Sequence, residues 1–84
     1  LKSSRTICYE IFRKIERDAR RITAGSVVIQ VHPRVAALML KDEASTIDFL
    51  EHETGKRIII EPVKDLHLEK YEISWEASQV AKAQ

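Results

Sequence analysis

The chain has 84 residues, enough for one domain, with 44% apolar and 32% charged residues and a net charge of +1. No apolar run approaches the ~20 residues that span a bilayer, and Lys2 to Arg5 is not followed by the long apolar stretch of a signal peptide. The lone Cys8 has no internal disulfide partner, so a reducing cytoplasm is the expected setting. The charge is uneven: residues 1–22 carry a net +4 and residues 23–84 a net −3. That asymmetry predicts a basic helix facing something acidic, either nucleic acid or protein.

The first predicted element is a helix over 4–22. Ile7, Ile11, Ile15, Ala19 and Ile22 recur at helical spacing, and Cys8 and Phe12 widen the stripe. Ser3 or Ser4 can cap its start, and Gly25 lies just past its end. A β-branched strand follows over 26–32. Pro33 ends it and opens a short, nearly all-apolar helix over 34–41. Ala44 to Thr54 forms the next helix, with Ile47 and Leu50 on its apolar stripe and Gly55 at its end. A second strand over 56–61 centres on Ile58, Ile59 and Ile60, closed by Pro62. A third, over 69–75, alternates: Tyr71, Ile73 and Trp75 face one way, and Lys70, Glu72 and Ser74 the other.

The order α-β-α-α-β-β predicts an α+β fold. Its expected form is a three-stranded, mostly antiparallel sheet with helices packed on one face. Residues 1–75 form the domain and 76–84 a polar tail. Two helices between the first two strands resemble the core of KH-type RNA-binding folds. However, the junction from Leu40 to Ser45 lacks the Gly-x-x-Gly loop that clamps RNA there, and it carries two acids.

Three stretches are similar to ribonuclease E/G endoribonucleases. They are Ser3-Ser4-Arg5-Thr6-Ile7-Cys8-Tyr9-Glu10-Ile11, Val31-His32-Pro33-Arg34-Val35-Ala36 and Thr54-Gly55-Lys56-Arg57-Ile58. Their order and spacing hold over roughly residues 3–73. The resemblance implies a parent enzyme that cuts single-stranded RNA with magnesium held by paired Asp residues. It also implies zinc-binding cysteines just before this region. Those features belong upstream of Leu1, which itself reads as an internal position of a longer protein. The resemblance therefore transfers no catalytic or metal residue, and whether the chain acts as an enzyme stays open. No cofactor is expected in this piece. The region's implied role is assembly of the oligomer, with the remainder of the parent and further copies as partners.

The residues themselves offer few sites for chemistry. Cys8 lies on the apolar stripe and reads as a buried thiol rather than a nucleophile. His32, His52 and His67 are too far apart in sequence for a paired zinc motif. Asp42 and Glu43 suit the start of the following helix, and Glu51 and Glu53 a solvated surface. Two surfaces remain. Arg13, Arg17 and either Arg20 or Arg21 share a helix face that would contact single-stranded RNA or an acidic partner surface, or stay solvated, with Glu10–Lys14 and Glu16–Arg20 as the expected ion pairs. Tyr71, Ile73 and Trp75 would form core or interface, or else a base-stacking platform.

Overall fold

The computed structural model describes residues 1–77. Helix α1 (Ser4–Ala19) precedes strand β1 (Ser26–Val31). Helices α2 (Pro33–Leu40) and α3 (Ala44–Thr54) follow, then strands β2 (Arg57–Pro62) and β3 (Tyr71–Glu76). The α+β class and the element order are those expected from the sequence.

Helix α1 begins at Ser3, whose hydroxyl accepts from the Thr6 N–H at 3.1 Å. It stops at Ala19, short of the expected Ile22. There the Arg21 N–H turns back to the Asp18 carbonyl at 3.0 Å, an i to i−3 bond that tightens and closes the last turn. His32 caps α2, its Nδ1 accepting from the Arg34 N–H at 3.0 Å, with Pro33 in the first turn. Helix α3 ends on Gly55, whose φ of 71° is the left-handed conformation that glycine adopts without a Cβ penalty.

The strand order is β2-β1-β3. Strand β1 pairs parallel with β2 and antiparallel with β3, so the sheet is mixed and its pairing evenly divided. The reason is the path of the chain. Helices α2 and α3 carry it back over the sheet, and β2 therefore enters in the direction of β1. The β2–β3 connection must then pass the end of β1 to reach the far edge. It is tied there by the Val63 N–H to the Val31 carbonyl at 2.7 Å, and it turns again where the Lys70 N–H meets the His67 carbonyl at 3.0 Å. That turn delays β3 to Tyr71, two residues later than expected, and β3 runs on to Glu76, one residue into the expected tail. Residues 78–84 of that tail lie outside the described residues.

One face of the sheet carries Val27, Ile29 and Val31 of β1, aligned with Ile58 and Ile60 on one side and with Trp75, Ile73 and Tyr71 on the other. The helices cover this face. Ile7, Ile11 and Ile15 of α1, Val35, Ala36 and Met39 of α2, and Ile47 and Leu50 of α3 close the core with it. Ile7, Ile11, Val27, Ile29, Val31, Val35 and Met39 are fully buried. Burial of this apolar surface, at roughly 25 cal/mol per Å², is the main term holding the layers together. The opposite sheet face has only Val28 and Ile59 at its centre, among Gln30, Glu61, Glu72 and Ser74.

Candidate interaction surfaces

The side chains with reactive chemistry are used as joints between elements. Cys8 is fully buried, and its thiol lies 4.0 Å from the Val35 carbonyl of α2. Burial, followed by the nearby Glu43 carboxylate, pushes the thiol up to about 11. A thiol that does not ionise near neutral pH is a poor nucleophile, so Cys8 packs rather than reacts. Among the described residues no group of His, Cys, Asp or Glu is gathered to hold a metal ion.

Glu43 sits at the helix start, where the sequence places it, but its side chain makes no cap hydrogen bond there and works elsewhere. It is buried, accepting from Arg5 Nη1 at 2.6 Å, from the Tyr9 hydroxyl at 3.2 Å and from the Thr46 hydroxyl at 3.3 Å. One carboxylate thereby fastens the start of α1 to the α2–α3 junction. Glu51 is likewise not mere surface, since its carboxylate accepts the Ile58 N–H at 2.8 Å and ties α3 to β2. Lys56 donates to the Ile22 and Ala24 carbonyls, each at 2.6 Å, and lies 5.8 Å from the centre of the Trp75 ring. Sequence patterning singles out none of these roles, because the partners are distant along the chain.

The four arginines of the expected basic stripe do not act as one set. Asp18 takes two of them, Arg17 at 2.9 Å and Arg21 at 2.6 Å. These two guanidiniums hold the Asp18 carboxyl down to about 2. Arg13 and Arg20 are exposed and make no ion pair among the described residues. They face different grooves. Arg13 lines one of about 240 Å³ with Thr6, Glu10, Lys14 and Arg17. Arg20 lines one of about 180 Å³ with Glu16, Ala19, Glu53 and Thr54, where two carboxylates oppose anion binding.

Neither ion pair expected along α1, Glu10–Lys14 or Glu16–Arg20, is among the close pairs of the described residues. Glu10 bonds Lys2 at 2.8 Å instead of Lys14. Lys14 instead donates to the Tyr71 hydroxyl at 2.5 Å, and that hydroxyl donates to Glu10 at 2.6 Å. Lys2, then Tyr71, hold the Glu10 carboxyl below the usual carboxylate range.

This chain of contacts lashes β3 to α1. Tyr71, Ile73 and Trp75 are therefore brought together on the helix-covered face, half-buried against the core. They lie on an edge strand. Beyond β3 the sheet has no further strand among the described residues, so its outer backbone groups face outward.

Comparison with known proteins adds one match. The family model described as "RNase E/G, Thioredoxin-like domain" covers residues 1–77. No curated protein matches the chain.

Proposed function

Because the chain belongs to the RNase E/G family, through its thioredoxin-like domain, we propose that it is a non-catalytic assembly module of an RNase E/G-type endoribonuclease. In this reading the parent acts in RNA processing and decay in the cytoplasm. Magnesium and zinc are bound by other parts of that parent, and this module holds protomers together. The observation that carries the reading is the edge strand β3, whose Tyr71, Ile73 and Trp75 are only partly buried beside an open row of backbone hydrogen-bonding groups. Such an edge is a ready template for pairing. A domain this small gains from burying it, since at ~60 residues folding removes only roughly 60% of the unfolded chain's surface. The joints made by Cys8, Glu43, Glu51 and Lys56 suit a rigid support. Sedimentation equilibrium of the chain, up to millimolar concentration, tests the proposal. A dimer or larger species is expected, and a strict monomer overturns it.

A second reading is favoured by Arg13, which is exposed, free of ion pairs among the described residues and beside Lys14 in one groove. In it, this groove binds the phosphates of single-stranded RNA. Affinity for an oligonucleotide then falls as salt rises, and Arg13→Ala lowers the slope by about one phosphate contact. An affinity that does not change with salt rejects it.

A further inference from the structure

We propose that the outward face of α2 docks an acidic amphipathic helix of a partner protein, seated between Arg34 and Lys41 over Ala37 and Leu38. Helix α2 packs on α1 and β2, at the opposite side of the sheet from the β3 edge. The docking is therefore independent of the assembly reading above.

In sequence α2 is apolar nearly all round, the pattern of a helix enclosed on several sides. The fold encloses only part of it. Val35, Ala36 and Met39 turn into the core. Arg34, Ala37, Leu38 and Lys41 recur at i, i+3, i+4 and i+7 and so share the opposite face. There Ala37 is exposed and Leu38 only partly buried. With Ser4 and Asp42, these four line an open groove of about 430 Å³.

Both ends of this groove are cationic. Arg34 and Lys41 are exposed and make no ion pair among the described residues. A rise of 1.5 Å per residue sets them roughly 10 Å apart along the helix axis. A second helix laid alongside presents its own i and i+7 residues at the same separation. Two acids there meet both cations, while apolar residues at i+3 and i+4 cover Ala37 and Leu38. Arg34 also lies in the first turn of α2, which holds no acidic residue, so a partner carboxylate at that end meets the guanidinium and the positive pole of the helix dipole together. Asp42, in the same lining, lies 3.6 Å from Arg5, which leaves Lys41 free for the partner. The apolar floor between the two cations suits such a helix better than a continuous line of phosphates.

The test titrates a stapled, alanine-based helical peptide into the full chain and follows the amide NMR shifts. The peptide carries Glu, Leu, Leu and Glu at i, i+3, i+4 and i+7, and a counterpart with Lys in place of Glu is the control. The glutamate peptide is expected to shift the amides of residues 34–41, to leave those of β3 unmoved and to bind more weakly as salt rises. Arg34→Glu and Lys41→Glu are each expected to weaken it about tenfold, as an attraction at one end becomes a repulsion. Arg34→Glu puts an acid in the first turn of α2, which favours the helix, so its loss of binding is not a loss of fold. The double variant prefers the lysine peptide. No shift up to millimolar peptide, equal binding of the two peptides, or shifts centred elsewhere overturns the proposal. So does single-stranded RNA that displaces the peptide from residues 34–41, or a wild-type self-association that the double variant abolishes, since the occupant is then nucleic acid or a second copy. A wild-type monomer that binds the glutamate peptide as described overturns the assembly reading alone.

Discussion

Ile11→Ala is the sharpest probe of how the fold is held. Ile11 is fully buried at the centre of the α1 stripe, where it meets the core shared by the helices and β1. The substitution removes the side chain beyond Cβ. At ~0.8 kcal/mol per carbon group, the lost transfer energy is roughly 2.4 kcal/mol. A cavity that does not collapse adds ~24 cal/mol per Å³. The sum is about 3–4 kcal/mol, from a domain whose whole stability at this size is roughly 4–12 kcal/mol. Urea unfolding followed by the fluorescence of Trp75, the only tryptophan, reads the loss as a lower midpoint with unchanged slope. Arg13→Ala, on the exposed face of the same helix, stays within ~0.5 kcal/mol. A loss under about 1 kcal/mol for Ile11→Ala would refute the claim that this rod is cemented to the sheet.

Glu43→Ala removes the acceptor shared by Arg5, Tyr9 and Thr46, and thermal unfolding should show a loss of about 1–3 kcal/mol; a neutral result would mean the joint is ornamental. Arg5→Ala strands the same carboxylate, and its cost should exceed that of Arg13→Ala but stay below that of Glu43→Ala, because Arg5 is half-exposed. Cys8 should resist a thiol reagent at mild alkaline pH until the chain is unfolded, whereas labelling of the native protein at the rate of a free cysteine would show the thiol to be accessible. Asp18 contributes stability that is fully present above its ordinary value near 3.8 and lost as the pH falls toward about 2, and Asp18→Asn should flatten that part of an acid-unfolding curve. An identical curve for the variant would contradict the Arg17–Asp18–Arg21 cluster.

Much of the architecture follows from local pattern. The isoleucines of α1 repeat at helical spacing because one face must be buried; Ile7, Ile11 and Ile15 are buried, whereas Ile22, expected on the same stripe, lies past the helix end and is only partly buried. His32-Pro33 and Gly55 mark boundaries through backbone chemistry that acts within a turn. Pro62 reads as a stop in the sequence, yet β2 includes it, as an edge strand permits at its end.

What local pattern does not carry is pairing at a distance. The parallel β1–β2 ladder depends on where two intervening helices return the chain, and period-two alternation is the same for either direction. The arginines illustrate the same limit. Helical spacing sets them along one face only if the helix runs on past Ala19, but it ends there, Asp18 draws Arg17 and Arg21 to itself, and Glu16 and Glu53 flank Arg20. The Lys14–Tyr71–Glu10 chain joins residues from opposite ends of the sequence, and no spacing rule announces it. Tyr71, Ile73 and Trp75 were legible as one face of one strand; their place at a sheet edge emerges only from the strand order.

The proposed role of this domain is to assemble its parent rather than to perform its chemistry. The most direct measurement is the solution mass of an RNase E/G-type parent carrying this module, compared with the same enzyme lacking residues 1–77, while cleavage of a short single-stranded RNA is followed in both. A smaller assembly is expected after deletion, with cleavage retained by the smaller species and none by the isolated chain. An unchanged mass, or cleavage by the isolated chain with magnesium, would contradict that role.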